Sequence, residues 1–175
     1  MDLKDYIRSI KDYPKKGILF RDITTLIKNE KAFKECIDQI VDRTKKFKVD
    51  KIAAIESRGF VFASAVSYIL NKPFILLRKK NKLPAETHSV DFELEYGTAT
   101  IEVHKDSINK NDKVLIIDDL IATGGTAEAA TKLVEISGGK VACFIFVINL
   151  FDLGGSDNLK KKGYMVENLI EFPGH

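Results

Sequence analysis

Residues 114–127 read VLIIDDLIATGGTA, and the order of residue types in this stretch indicates the fold. The uninterrupted apolar run 114–117 is typical of a strand that is buried on both faces of a parallel sheet. Asp118 and Asp119 end the predicted strand, and a turn of small and hydroxylated residues follows. Beyond the turn, apolar residues recur at helical spacing. The stretch therefore predicts a strand, a short loop and a helix, as in α/β proteins.

The turn has the chemistry of a sugar-phosphate site. The start of a helix offers unpaired N–H groups and a partial positive charge, and glycine lets the backbone come close to an anion. Thr126 adds a hydroxyl donor and can also cap the helix. Asp118 and Asp119 lie at the carboxyl end of the strand, where α/β proteins bind ligands, and as acceptors they suit ribose hydroxyls. We expect the phosphate itself to bind at Ala122, Thr123, Gly124, Gly125 and Thr126.

Taken singly, an acidic pair is often only a solvated strand end, and a glycine pair only a turn. The complete unit is more specific, but it lacks the lysine of the nucleotide phosphate loop and the glycine spacing of the dinucleotide fingerprint. It resembles the phosphoribosyl pyrophosphate (PRPP) motif of the type I phosphoribosyltransferase family. The resemblance implies a Rossmann-like α/β fold, a parallel sheet flanked by helices, with an N-terminal hood over about residues 1–28 and a flexible antiparallel lid loop over about residues 78–100.

Length and composition agree with this class. A chain of 175 residues suits one domain, so we expect residues 1–175 to form a single phosphoribosyltransferase domain. The formal net charge of +3 is too small to argue for nucleic acid. No membrane span and no signal-peptide core are visible, and a cytoplasmic protein is expected. Cys36 and Cys143 have no metal spacing, and we expect both to be structural.

The N-terminal region contains a second resemblance. Apolar spacing predicts a short amphipathic helix over residues 3–11, and residues 13–24 contain too much Pro and Gly for regular structure. The latter segment is either a loop that packs on the core or a cover over a site. It resembles the purine hood of the adenine-specific members of the family. The resemblance assigns base recognition to the backbone of Leu19 and Arg21, and base stacking to Phe20.

A second strand, turn and helix unit is predicted around residues 51–70, with ESRGF at the turn. Such a turn again places backbone donors and a cation at the carboxyl edge of the sheet. Arg58 is either a helix-start arginine with Glu56 as its surface partner, or a pyrophosphate ligand. The family resemblance favours the second reading and assigns pyrophosphate binding to Ser57 and Arg58.

Residues 78–82 carry four cations in five positions and must be exposed or face an anion. From the residues alone the run is a solvated loop or a weak nucleic-acid patch, although it lacks interleaved aromatic residues. It resembles the start of the family's flexible loop, which implies pyrophosphate binding by Arg78, Lys79 and Lys82. The string LEYG closes the loop; by the same resemblance Glu95 handles the purine's imidazole proton and Tyr96 closes over adenine.

The other expected elements are packing elements, and one segment departs from the family. Apolar patterns predict a long helix over 29–47, an antiparallel return strand over 98–103, and further strands over 51–55, 73–77, 141–150 and 164–170. Residues 149–155 differ from the family pattern, which leaves their local contacts in doubt.

The resemblance implies that adenine and PRPP are converted to AMP and pyrophosphate, with Mg²⁺ held through PRPP rather than by a protein cage. Catalysis would fall to Glu95, Asp118, Asp119, Arg58 and Lys82. The family also implies a homodimer. Two alternatives stay open: a transferase for another purine (hypoxanthine, guanine or xanthine), and a non-catalytic PRPP-sensing regulator. The lid cations and Glu95 argue against the regulator.

Overall fold

The structure is a computed structural model that describes residues 1–94 and 97–175. Within these residues a seven-stranded sheet has the order β5-β6-β4-β3-β7-β8-β9, and β1 and β2 form a separate antiparallel ribbon. The strands are β1 (Arg8–Lys11), β2 (Leu19–Asp22), β3 (Lys51–Ile55), β4 (Phe74–Lys79), β5 (Thr87–Glu93), β6 (Thr98–His104), β7 (Lys113–Ile121), β8 (Lys140–Leu150) and β9 (Val166–Phe172).

The five central strands β4, β3, β7, β8 and β9 are parallel, while β5 and β6 add an antiparallel edge. The helices are α1 (Thr24–Ile27), α2 (Glu30–Thr44), α3 (Arg58–Leu70), α4 (Gly125–Ile136) and α5 (Gly155–Lys161). Helices α2 and α3 contribute to one apolar cluster, and α4 and α5 to another. The predicted class, a mostly parallel sheet flanked by helices, is confirmed.

Strand β7 is buried on both faces, as its unbroken apolar run predicts. Leu115 and Ile117 belong to the cluster of α2 and α3, whereas Val114 and Ile116 belong to the cluster of α4 and α5. The predicted end of the strand is wrong, because β7 includes both aspartates and runs on to Ile121. Pairing with β8 continues through Leu120 and Ile121, and these backbone hydrogen bonds carry the strand past the acidic pair.

The predicted helix over residues 3–11 is wrong. Only Leu3–Tyr6 form a short 3-10 helix, and β1 follows directly. The reason is tertiary, since β1 pairs with β2 in a register that places Arg8 opposite Asp22. Their side chains form an ion pair at 2.6 Å. The same pairing corrects the expectation of irregular structure over 13–24, because β2 lies inside that segment.

The expected antiparallel hairpin is present at the edge of the sheet, where β5 and β6 pair from Thr87 with His104 to Glu93 with Thr98. Strand β4 extends two residues beyond the predicted end at residue 77 and includes Arg78 and Lys79. The extension exists because these two residues pair with β6. The lid therefore begins from a fixed strand end.

Two smaller expectations concern cysteines and membranes. Cys36 and Cys143 are both fully buried, and burial raises the pKa of each thiol to about 12. Such thiols are poor nucleophiles at neutral pH, which agrees with structural roles.

Among residues 1–94 and 97–175, no helix combines the length and the apolar content that crossing a membrane requires.

Candidate active site

A cavity of about 510 Å³ opens at the carboxyl ends of β3 and β7. This is the edge at which parallel α/β sheets bind ligands, because loops and helix starts gather there. Its lining comes from the turn after β3, the start of the lid, the end of β5, and the loop between β7 and α4. The lining residues that the sequence predicted as site residues are Ser57, Arg58, Lys79, Asp118, Asp119, Ala122, Thr123, Gly124, Gly125 and Thr126.

The loop 122–126 lies against the cavity along its whole length, and we call it the phosphate loop. Gly124 adopts φ 93°, a left-handed conformation that a side chain would strain, and α4 begins at the next residue. Thr126 is therefore already inside the first turn, so its predicted capping role is wrong. Among residues 1–94 and 97–175 no side chain caps α4, and the backbone donors at its start lie at the cavity.

Arg58 and Asp119 form the central ion pair of the cavity. Arg58 Nε donates to Asp119 Oδ2 at 2.6 Å, although the two residues lie on α3 and β7. The Asp119 side chain is only 8% exposed, so the pair is largely removed from water on the carboxylate side. The alternative in which Glu56 is the surface partner of Arg58 is wrong, because the partner of Arg58 is Asp119.

Asp118 has an unusual electrostatic environment. Its Oδ1 accepts a hydrogen bond from the backbone N–H of Asp119 at 2.8 Å. Burial and the adjacent negative charge of Asp119 raise the pKa of Asp118 well above its usual value, and Arg58 offsets this only in part. Carboxylates with strongly shifted pKa values cluster at functional sites, and this one lines the cavity.

Glu56 joins the β3–α3 turn to the start of the lid. Its Oε1 accepts the backbone N–H of Lys79 at 2.6 Å and the Nε of Arg78 at 3.3 Å. As a result Lys79 is held at the cavity wall. The Arg78 guanidinium is instead hydrogen-bonded to Glu56, and Arg78 lies outside the cavity lining. Lys82 is exposed on the lid turn and also lies outside the lining. The structure thus brings Lys79 to the site but not Arg78 or Lys82.

None of the three predicted adenine-binding residues of β2 lines the cavity. The Phe20 ring lies 5.8 Å from the Arg58 guanidinium, which places it beside the site, and Tyr13 packs edge-on against it. Arg21 points elsewhere: its guanidinium donates to Ser9 Oγ at 2.6 Å and to the Pro173 carbonyl at 3.1 Å. Leu19 is partly buried within the ribbon. Glu95 and Tyr96 lie outside the described residues.

Several residues of the site were absent from the sequence predictions. Phe92, Glu93 and Leu94, at the end of β5, also line the cavity. The alternation of the β5 sequence could have indicated the strand, but not its distance from a loop some thirty positions away. Glu102 on β6 was also missed. It is buried, and its carboxylate accepts hydrogen bonds from the Asn81 N–H, the Thr87 hydroxyl and the Ser89 hydroxyl, at 2.9, 3.2 and 2.6 Å.

Glu102 fixes the base of the lid, and its replacement gives a pH-dependent prediction. The hydrogen bonds from Ser89 and Asn81 lower the pKa of Glu102. A lowered carboxyl pKa stabilises the fold above the unfolded pKa, and the stabilisation disappears as pH falls through the folded pKa. Glu102→Gln is therefore expected to cost about 1–2 kcal/mol at pH 7, and progressively less toward pH 3. Thermal unfolding of both proteins across this pH range is the measurement; a pH-independent difference would contradict the assignment.

Comparisons with known proteins agree with this geometry. Residues 22–173 match the family model described as phosphoribosyl transferase domain. The chain is 82% identical over 175 residues to an adenine phosphoribosyltransferase of Pelagibacter ubique, with 100% of both chains covered. Two crystal structures superpose with a TM-score of 0.92: the adenine phosphoribosyltransferase of Thermoanaerobacter pseudethanolicus (47% identical, 97% and 98% covered) and that of Giardia lamblia with 9-deazaadenine (32%, 98% and 98%).

The match extends over nearly the whole chain, and it includes the phosphate loop, the β3–α3 turn and both strands of the lid. These are the segments that surround the cavity. The likeness in sequence and the likeness in three dimensions point to one family, and the identity over the full length is far above what a shared fold alone would give. The chain belongs to the adenine phosphoribosyltransferase family.

Proposed function

We propose that this protein transfers the phosphoribosyl group of PRPP to adenine and releases AMP and pyrophosphate, a reaction of purine salvage. One observation carries the proposal: the phosphate loop and the Arg58–Asp119 pair face the same cavity. A sugar that carries phosphate at one end and pyrophosphate at the other needs anion-binding groups at two points with polar acceptors between them. The full-length identity to an adenine phosphoribosyltransferase supports adenine as the acceptor.

The cavity divides into three subsites in this proposal. The backbone N–H groups and hydroxyls of Ala122, Thr123, Gly124, Gly125 and Thr126 hold the 5′-phosphate. Asp118 and Asp119 hold the ribose hydroxyls. Ser57, Arg58 and Lys79 hold the pyrophosphate. Closure of the lid brings Lys82 toward it, and the Arg78 side chain reaches it by leaving Glu56. Closure over about residues 78–100 excludes water, which competes with adenine for the reacting carbon.

Charge drives the proposed chemistry. Breaking the bond between the anomeric carbon and pyrophosphate builds positive charge on the ribose and negative charge on the leaving group, as in glycoside cleavage. The two aspartates stabilise the ribose cation, and the cations of the pyrophosphate subsite stabilise the departing oxygens. In the free protein Arg58 pairs with Asp119, and in this proposal the pyrophosphate takes the place of the Asp119 carboxylate on Arg58.

Mg²⁺ enters this scheme as part of the substrate. Among residues 1–94 and 97–175, no group of three or more His, Cys, Asp or Glu side chains gathers at a spacing that could hold a metal ion. Asp119 and Glu56 already accept hydrogen bonds from arginines. Mg²⁺ prefers oxygen ligands and keeps several waters, so we propose that PRPP supplies most of its ligands. The bound ion adds positive charge to the leaving pyrophosphate.

The proton that leaves adenine is assigned to Glu95, on the family resemblance of the LEYG string, and Tyr96 is assigned to the closed face of the base. Glu95→Gln is expected to lower kcat with adenine by about 10²-fold or more, because the amide cannot accept the proton. The affinity for PRPP should change little, since Glu95 has no role in holding phosphate. Steady-state kinetics with both substrates is the measurement, and an equal loss of PRPP affinity and turnover would contradict this role. Glu86→Gln, at an exposed position outside the cavity lining, is the control.

The choice of adenine over other purines is tested with purified protein, PRPP and Mg²⁺. Nucleotide formation is followed in parallel with adenine, hypoxanthine, guanine and xanthine. Selective formation of AMP is expected. Product from another base would retain the phosphate subsites but overturn the choice of adenine, and PRPP binding without any product would favour a PRPP-sensing regulator.

We also propose that the protein forms a homodimer. Helix α3 exposes large apolar side chains along one side: Val61 and Tyr68, which lie two turns apart, are 37% and 89% exposed. Exposed apolar faces of this kind commonly mark protein interfaces. Sedimentation velocity is expected to show a species of two chains, and a single-chain mass at all concentrations would contradict the dimer.

A further inference from the structure

The glycine pair Gly154–Gly155 lies directly behind the phosphate loop. The Gly155 N–H donates to the Ala122 carbonyl at 3.1 Å, and the Gly155 backbone is also in contact with Gly124. A Cβ at position 155 would lie 2.5 Å from the Ala122 oxygen and 2.8 Å from the Gly124 nitrogen. Real Cβ atoms do not approach backbone atoms this closely. Only glycine at position 155 therefore permits the observed position of the loop.

Helix α5, which begins at Gly155, is itself fixed to the body of the sheet. The buried Ser156 hydroxyl accepts a hydrogen bond from Asn168 Nδ2 at 2.9 Å, and Arg43 Nη1 donates to the Asn168 carbonyl at 2.5 Å. Leu159, one turn later, is 1% exposed and packs in the apolar cluster of α4. The start of α5 is thus a rigid surface, and the loop rests on it.

We propose that Gly155 is a positioning residue, which sets the distance of the phosphate loop from the reacting centre without touching the substrate. The proposal rests on the assignment of that loop to the 5′-phosphate. It gives a role to segment 149–155, whose local contacts the sequence left open. A side chain at position 155 would push residues 122–124 toward the cavity. The N–H groups of the loop would then no longer lie at hydrogen-bond distance from the phosphate oxygens.

Gly155→Ala is the direct test, with ribose 5-phosphate and pyrophosphate as separate probes in titration calorimetry. A displacement of the loop of the order of 1 Å is expected to weaken ribose 5-phosphate binding by about tenfold to a hundredfold. The affinity for pyrophosphate should stay unchanged, because its proposed ligands lie on α3 and β4. In kinetics the KM for PRPP should rise more than kcat falls. Equal weakening of both probes, or of neither, would overturn the proposal.

Gly163→Ala is the matched control. Gly163 follows α5 at its other end with φ 93°, and a Cβ there would meet no atom within 4 Å. The control thus strains the backbone beside α5 without pressing on the loop, and its ribose 5-phosphate affinity should match that of the unaltered protein. Loss of affinity in the control as well would assign the effect to general instability of α5 and overturn the proposal.

Two further variants make the outcomes distinguishable. If Thr126→Ala leaves ribose 5-phosphate binding unchanged, the assignment of the loop to the 5′-phosphate is wrong. If Thr126→Ala weakens ribose 5-phosphate binding but Gly155→Ala leaves it unchanged, only the positioning role of Gly155 is wrong. Should Gly155→Ala not fold, Ser156→Ala takes its place, because it loses the bond to Asn168 that fixes α5. It is expected to weaken ribose 5-phosphate binding about threefold, and unchanged binding would overturn the proposal.

Discussion

Arg58→Ala is expected to lower kcat/KM for PRPP by about 10²–10³-fold. The substitution removes the guanidinium assigned to the leaving pyrophosphate. It also leaves the carboxylate of Asp119, 8% exposed, without its partner, so that part of the ribose subsite loses its geometry. The contact between the guanidinium and the Phe20 ring disappears as well, which loosens the ribbon beside the site. Initial rates at varied PRPP and saturating adenine measure the effect.

Arg8→Ala is the control for Arg58→Ala. Arg8 pairs with Asp22 at 2.6 Å, and the Asp22 side chain is 9% exposed, so the two ion pairs match in chemistry, distance and burial. Arg8 lies on β1, outside the cavity lining. We expect both variants to unfold at lower temperature, but only Arg58→Ala to lose kcat/KM for PRPP. Comparable losses in the two variants would show that Arg58 acts through stability and would remove it from the site.

Asp118→Asn is expected to lower kcat by about 10²-fold and, at the same time, to stabilise the free protein at neutral pH. The loss of activity follows from the assigned role, because a neutral amide stabilises the positive charge on the ribose less than a carboxylate does. The gain in stability follows from the raised pKa of Asp118, which means that the fold disfavours the ionised group. Kinetics and thermal unfolding of the same two proteins measure both effects.

The stability effect of Asp118→Asn has a defined pH dependence. A carboxyl group with a raised folded pKa binds its proton more tightly in the folded state, so stability falls as pH rises from the unfolded pKa to the folded pKa. The variant should therefore unfold at a higher temperature above this range and at the same temperature below a pH of about 3, where the group is protonated in both states. A variant that is less stable at pH 7, or equally active, would contradict the assignment of Asp118.

The central strands and the phosphate loop were predictable because their signals are local. An apolar run with a small-residue turn has few structural alternatives, and β3, β7 and β8 lie close to the positions that their patterns indicate. Strand ends were less predictable, as β7 and β4 show, because a neighbouring strand decides where pairing stops. The ribbon β1–β2 was missed for the same reason, since its partner lies a dozen residues away along the chain.

Part of the cavity lining was predictable, but the pairing of its side chains was not. Asp119 and Arg58 were both expected at the site, yet their ion pair joins residues 61 positions apart and was not predicted. Arg21 was expected near adenine through its backbone, but its side chain reaches Pro173, 152 positions away. Such contacts depend on how the helices pack against the sheet, and this packing cannot be inferred from a single sequence. Gly155 gave no signal, because a glycine after another glycine is usual in any turn.

A crystal structure of the protein with AMP and pyrophosphate is the most direct test of the three subsites. We expect the AMP phosphate to accept hydrogen bonds from the backbone N–H groups of residues 123–126, and the ribose hydroxyls to contact Asp118 and Asp119. We expect pyrophosphate beside Ser57, Arg58 and Lys79. A phosphate of AMP bound anywhere outside the loop, with the cavity occupied by other groups, would contradict the division into subsites on which every assignment depends.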